Sequence, residues 1–271
     1  MRKSPVRTSG ASVADERGQR LLSALESFLS EGEVVFTMTS LAQRAQVNGA
    51  MARLAVDDWT KRSWLEPIRR NHEVVYLIRS ATPNAPSDAA LDALGLLQVI
   101  NGHEHKLGRL TYAYASALSF HGLTELIPDS VYVFHNDPSV TTPKLAEDRP
   151  FTRSSKTPTL WGPWRNRQVF LMRRHPNLLR PYQRVLLDYQ GVRIPCTSLV
   201  KTLIDCWVRP DLSGGADRVN DAWRYLAQRP EKPDAVAGEI AAILKDSSWP
   251  AMRMAFAKWL QSEHPQYAGK L

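Results

Sequence analysis

Thr39–Glu66 reads TSLAQRAQVNGAMARLAVDDWTKRSWLE, and two short amphipathic helices are written into it. Leu41, Ala42 and Ala45 give the first, Leu41–Ala45, a narrow apolar face, and Gln46-Val47 makes a tight connection. Thr39 or Ser40 is its expected cap, because a hydroxyl oxygen accepts from the orphaned amides of a first turn. Asn48 is the expected cap of the second helix, Gly49–Arg62. Its buried side has Ala52, Leu54 or Ala55, Val56 and Trp59 to draw on.

The flanks complete the pattern. Upstream, Leu21, Leu22, Leu25, Phe28 and Leu29 recur at helical spacing over Asp15–Ser30; Gly32 ends that helix and Val34–Met38 reads as a short strand. Downstream, Trp64–Ile68, a polar turn at Arg69–Asn71 and Val74–Ile78 read as a hairpin. Helix, strand, helix, turn, helix, hairpin is the order of a winged helix-turn-helix, here over residues 15–79. Residues 1–14 are polar, small and basic and are expected to form a disordered tail. Ser80–Ser87, SATPNAPS, is a linker with nothing apolar to bury.

A second domain is expected over residues 88–210. Asp88 caps a helix that runs to about Ile100 and stops at Asn101-Gly102. Tyr112–Asp137, YAYASALSFHGLTELIPDSVYVFHND, reads as an amphipathic helix stopped by Gly122, a loop closed by Pro128 and the strand Val131–His135. Prolines between Val140 and Arg167 imply strands joined by loops, and Val169–Met172 is a strand. Val185–Tyr189 and Val192–Cys196 flank Gln190-Gly191 as a hairpin, and the helix Ser198–Trp207 follows. The chain then ends in helical stripes: Val219, Trp223 and Leu226; Val236, Ile240, Ile243 and Leu244; Met252, Phe256, Trp259 and Leu260. Pro230, Pro233 and Pro250 sit near the breaks. The expected fold class is α+β: a winged helix-turn-helix, a mixed α/β domain with a mainly antiparallel sheet, and a small helical bundle over 211–271.

Composition narrows the function. The 271 residues carry a formal net charge of +8, unevenly spread. No acidic residue falls between Asp148 and Asp188, while Arg149, Arg153, Lys156, Arg165, Arg167, Arg173, Arg174, Arg180 and Arg184 all do. Trp161, Trp164, Phe170 and Tyr182 interleave with these arginines, a composition that suits nucleic acid or an acidic protein partner. Arg153, Lys156, Arg165, Arg167, Arg173, Arg174 and Arg180 make up this expected second basic surface. The two cysteines, Cys196 and Cys206, are too few for a disulfide framework and wrongly spaced for a zinc knuckle. Without a signal-peptide core or an apolar run of ~20 residues, the expected location is the cytoplasm, with no membrane partner.

Binding to double-stranded DNA is the first functional expectation. It needs polar or basic side chains at the start of the recognition helix, aimed into the major groove. The expected contact set is Thr39, Ser40, Asn48, Gly49, Ala50 and Arg53 near the groove. Lys61, Arg62, Arg69, Arg70 and His72 are expected on backbone phosphates. Asn48 and Arg53 are the readers, whereas Asp57 and Asp58 oppose phosphates, so sequence specificity is modest and a dimer on the operator is expected.

Catalysis has no signature. Asp129 and Asp137 are too far apart for a nucleotidyltransferase pair, and Gly214-Gly215 lacks the lysine of a phosphate loop. His103-Glu104-His105 has no further ligand cluster, so no metal site and no cofactor are expected. His121 before Gly122 reads as a helix ending. A carboxylate-metal nuclease would draw on Asp129, Asp137 or Asp188.

Taken in order, TSLAQRAQVNGAMARLAVDDWTKRSWLE, SALSFHGLTELIPDSVYV and IPCTSLVKTLIDCW resemble the AbiEi family of antitoxins, the regulatory halves of type IV toxin–antitoxin and abortive-infection systems. The resemblance covers about residues 20–210 and is most specific over Ser116–Val133. It implies a non-enzymatic repressor of its own operon, with Asn48–Arg62 as recognition helix and about Trp64–Ile78 as wing. It also implies an antitoxin domain opposing a nucleotidyltransferase-type toxin without a stable complex. A different class remains open, a protein-binding adaptor of a phage-defence or mobile-element locus.

Overall fold

The structure, a computed structural model, describes residues 13–70, 73–79, 86–102, 109–125, 127–137, 139, 158–174, 179–229, 233–247 and 249–268. Residues 1–12 of the expected tail, most of the linker, the wing tip at 71–72 and His103-Glu104-His105 lie outside the described residues, while Val13 and Ala14, expected in the tail, already belong to the first helix. The fold is mixed α/β and divides into two compact units, residues 1–106 with 188–193, and residues 107–187 with 194–271. Among the described residues no helix is long and apolar enough to cross a membrane.

The first unit holds α1 (Val13–Ser30), β1 (Val35–Thr37), α2 (Met38–Ala45), α3 (Gly49–Lys61), β2 (Leu65–Arg70), β3 (Glu73–Ile78) and α4 (Asp88–Ile100). Its strands form a three-stranded antiparallel sheet in the order β1-β3-β2. Leu21, Leu25, Phe28, Leu41, Ala52, Val56, Trp59 and Ile78 share one core. Leu22 leaves the expected stripe and is 42% exposed. Of the alternatives on α3, Ala55 packs against the core and Leu54 turns outward.

Two caps differ from expectation. Neither Thr39 nor Ser40 caps α2; the helix starts earlier, at Met38, and Thr37 caps it. Thr37 Oγ1 accepts the Ser40 amide at 3.1 Å, and Ser40 Oγ accepts the Thr37 amide at 3.0 Å, a reciprocal box. Likewise Ser87, not Asp88, caps α4, its hydroxyl accepting from the Ala90 amide. Asp88 sits instead in the first turn, where its charge suits the helix dipole. By its contacts α4 belongs with the N-terminal elements rather than with the domain expected at 88–210, and Leu91 to Val99 are all buried.

The second unit centres on a six-stranded sheet in the order β6-β7-β5-β4-β9-β8. Its strands are β4 (Leu110–Tyr112), β5 (Ser130–Asn136), β6 (Thr159–Trp164), β7 (Arg167–Arg174), β8 (Arg184–Tyr189) and β9 (Val192–Thr197). The sheet is mixed: β5 runs parallel to β7, and β4 parallel to β9, while β4/β5 and β6/β7 are antiparallel. Tyr112, expected to open a helix, ends β4 instead. The helix α5 (Tyr114–Phe120) starts two residues on and stops before Gly122, at φ +63°. Gln190 and Gly191 both take positive φ, as a two-residue hairpin turn with the sheet's twist requires.

Ser198 caps α6 (Leu199–Val208), and α7 (Ala216–Ala227), α8 (Pro233–Asp246) and α9 (Pro250–Glu263) follow. Pro233 and Pro250 are first residues of their helices, where a missing amide costs nothing. All three stripes are buried, save half-buried Trp259, but not as a bundle apart. Leu118, Phe134, Val200 and Leu203 share one core with Trp223, Ile240 and Phe256.

Candidate nucleic-acid interface

The expected DNA face lies on α3 and the β2–β3 hairpin. Gln46, in the left-handed region, turns the chain out of α2, and residues 46–48 join the two helices. Asn48 caps α3 as expected, its Oδ1 accepting the Met51 amide at 2.9 Å. With Ala52, Val56 and Trp59 buried, helical spacing turns Ala50, Arg53, Leu54, Asp57, Asp58 and Lys61 to solvent. Arg53 and Lys61 are exposed and make no ion pair among the described residues. Arg62 is committed locally, 2.9 Å from Asp58 and with its guanidinium 5.6 Å from the centre of the Trp64 ring. That pairing also offsets the charge of one of the two aspartates expected to oppose phosphate.

The remaining positions of the set behave differently. Thr39 and Gly49 are exposed, whereas the Ser40 hydroxyl is consumed by the α2 cap. Arg69 is exposed near the end of β2, opposite Val74. Arg70 ends that strand opposite Glu73, and His72 lies outside the described residues. Leu54, 70% exposed on the same face as Arg53, is a contact the residue pattern left open.

The run of cations at 149–184 is not one basic surface. Arg173 Nε donates to Asp137 Oδ2 at 2.8 Å, and the Ser139 hydroxyl, followed by Arg173, holds that carboxyl well below its usual range. Arg174 turns inward, its Nη2 donating to the Tyr114 hydroxyl at 2.5 Å and its guanidinium 4.1 Å from the Phe134 ring centre. Arg184 reaches across the sheet to the Leu110 carbonyl, and Arg180 lies 3.8 Å from Asp246. Arg165 is exposed at the β6–β7 turn beside Trp164, next to Asn166 and half-buried Arg167. Arg153 and Lys156 lie outside the described residues. Of the interleaved aromatics, Trp164 is buried and Phe170 stacks on Tyr132 at 5.6 Å, while Tyr182 is exposed and bonded to Asp246.

The carboxylates considered for metal chemistry have other tasks. Asp137 is bound by Arg173, Asp188 Oδ1 accepts the Gly191 amide at the hairpin turn, and Asp129 is exposed before β5. Among the described residues no group of three or more His, Cys, Asp or Glu is placed to hold a metal ion. Both cysteines are free and buried, and burial pushes their thiols up, away from the reactive thiolate. His121 is a helix ending, with its Nε2 2.7 Å from the Thr197 carbonyl and Arg229 capping the His121 and Gly122 carbonyls.

A cluster in the second unit has no counterpart in the sequence reading. Lys201 and Asp205, one turn apart on α6, form a buried ion pair, and Asp205 Oδ2 has no hydrogen-bond partner among the described residues. Tyr114 and Arg174 are its neighbours, close enough for Asp205 to act on the charge of both. Only the KTLID spacing within SLVKTLIDCW signals part of it, since i, i+4 places a lysine beside an aspartate. No protein-family model matches the chain, and comparison with curated proteins gives no significant match.

Proposed function

We propose that the chain is a DNA-binding transcriptional regulator, the antitoxin of a type IV toxin–antitoxin system, which represses its own operon in the cytoplasm. The observation that carries the DNA-binding part is the outward face of α3. A capped helix start at Asn48, with exposed Arg53 and Lys61, is followed by a hairpin bearing exposed Arg69. That is the arrangement a winged helix-turn-helix uses: recognition helix in the major groove, wing on the backbone. The antitoxin part rests on the order of the AbiEi-like motifs, and it gives the chain a nucleotidyltransferase-type toxin as functional partner without a stable complex. The modest charge of the α3 face fits binding as two copies per operator.

A gel-shift assay on the DNA upstream of the gene tests the proposal. Binding is expected to weaken steeply with salt, with a log–log slope of about −0.9 for each phosphate neutralised. Equal shifts on random DNA, or none at low salt, would rule out operator recognition. Co-expression with the neighbouring gene tests the second part, through rescue of growth by this chain.

Leu54 favours a second reading. A leucine 70% exposed beside Asp57 and Asp58 suits a protein surface better than a phosphate backbone. An adaptor docking through α3 would retain a stoichiometric partner in pull-down, lose it on Leu54→Asp, and show no DNA affinity.

A further inference from the structure

The six-stranded sheet ends differently on its two sides. On one side β6 is blunted: Pro163 lies within it, and a register shift between Leu160 and Gly162 interrupts its pairing with β7. Prolines and bulges are how proteins keep an edge from adding strands. On the other side β8, Arg184-Val185-Leu186-Leu187-Asp188-Tyr189, has no proline, no lysine and no positive φ. Among the described residues no strand lies beyond it, and Leu186 stands on it 62% exposed.

The hairpin fixes which backbone groups of β8 face outward. The Ser198 amide donates to the Gln183 carbonyl at 2.8 Å, and the turn at Gln190-Gly191 sets Tyr189 against Val192. Both put Val185, Leu187 and Tyr189 in hydrogen-bonded pairs with β9. The amides and carbonyls of Arg184, Leu186 and Asp188 therefore point away from the sheet, and their side chains share one face.

That row of residues is complementary to itself. When two β8 strands lie antiparallel about a two-fold axis at Leu186, Leu186 meets Leu186, and Arg184 meets Asp188 of the second copy. On the other face Val185 meets Leu187, both half-buried within one copy. Opposite charges and apolar pairs directly across strands each stabilise the pairing. A slide of two residues either way sets one of the charges against Leu186, so the register is specified. Within one copy Arg184 donates to the Leu110 carbonyl and Asp188 accepts the Gly191 amide, so both charges are held in place beforehand.

We propose that a second copy of this chain pairs with the first along β8, joining the two sheets edge to edge across a two-fold axis at Leu186. The blunted β6 edge stops further growth, so the assembly closes as a dimer. One short strand on each side makes a small interface, which suits a dissociation constant on the order of 10 μM. The pairing needs no DNA and does not depend on the DNA-binding reading.

Sedimentation velocity of the full chain without DNA, from about 1 to 200 μM, tests it. The wild type should pass from monomer to dimer over that range. Leu186→Lys sets two ammonium groups against each other at the axis, and Leu186→Glu two carboxylates; each should weaken the dimer about tenfold or more. Mixed in equal amounts the two variants should associate again, because lysine then meets glutamate. Leu186 is exposed, so both variants should fold, which thermal melts check. A wild type that stays monomeric at every concentration overturns the proposal. So does a dimer that both substitutions leave unchanged, since another surface then holds it. Variants that dissociate singly yet form no dimer when mixed reject the axis at Leu186, and the proposal with it.

Discussion

Gln98 on α4 accepts the backbone amide of Val35 at 3.0 Å, across a sequence separation of 63 residues. The same Oε1 accepts the Val34 amide at 2.9 Å, and Nε2 donates to the Gly32 carbonyl at 2.7 Å. One side chain, 1% exposed, thus satisfies two amides and a carbonyl where α1 turns into β1.

Replacing Gln98 with leucine keeps the size and removes all three bonds, leaving two buried amides and a carbonyl unsatisfied. Each such group costs about 1–3 kcal/mol, and with some relaxation the expected loss is about 3 kcal/mol. Urea unfolding followed by far-UV circular dichroism measures it. A loss below ~1 kcal/mol would mean that water or a backbone shift replaces the amide.

Gln98 also shows what was legible in the sequence and what was not. The helices of the first unit were, because a cap such as Asn48 and a stripe such as Ala52, Val56 and Trp59 act within one or two turns. So was the β8–β9 turn, since Gln190-Gly191 carries its conformation locally. The place of α4 was not: its burial is decided by distant partners, such as Leu77, whose Cδ1 would lie 2.6 Å from a Cβ at Gly95. Three-residue β4 has too short a pattern to read, and only its pairing with Val133 and Cys196 makes it a strand. The same holds for the basic run, where charge was visible but its destination was not. Arg174 is spent on Tyr114, 60 residues away, and Arg173 on Asp137.

At the proposed DNA face, two substitutions of Asn48 separate helix capping from base contact. Asn48→Ala removes the bond to the Met51 amide and should cost about 1 kcal/mol of stability along with DNA affinity. Asn48→Asp keeps the cap, so stability should hold, but it sets a negative charge against the backbone and should weaken binding more. Arg53→Ala should leave stability within ~0.5 kcal/mol and flatten the salt dependence or the operator preference. Thermal melts and gel shifts on the same preparations read both quantities. Parallel loss of stability and binding in Asn48→Asp would mean that the cap alone carries the effect.

Lys201 and Asp205 should be strongly coupled. Lys201→Met leaves a buried carboxylate without its cation, with an expected cost of about 3 kcal/mol even with Arg174 nearby. The double replacement Lys201→Met with Asp205→Leu removes both charges and should recover most of that stability. Denaturation of the two single variants and the double variant completes the cycle. Additive losses would show that the pair is not coupled.

Stability should fall as the pH is lowered through the range below 6.5. His121, His135 and His264 all have imidazoles pushed below the ordinary value of 6.5, with burial as the leading cause in each. For His121 burial disfavours a second proton and outweighs the bond to the Thr197 carbonyl, which can only accept, so that Nε2 carries the one proton of the neutral ring. The nearby Arg229 guanidinium opposes that second proton as well. Between the unfolded value and each depressed folded value, the unfolded chain binds more protons, so the contribution is whole above 6.5 and lost on acidification. The slope cannot exceed roughly 1.4 kcal/mol per pH unit for each histidine. Carboxylates such as Asp137 enter only at lower pH, since its folded value lies well below the usual 3.8. Urea midpoints at pH 7.5 and 5.5 should therefore differ, and His121→Gln, which can still donate to Thr197, should narrow the difference. An unchanged midpoint in the wild type would show that the three imidazoles titrate normally in the folded chain.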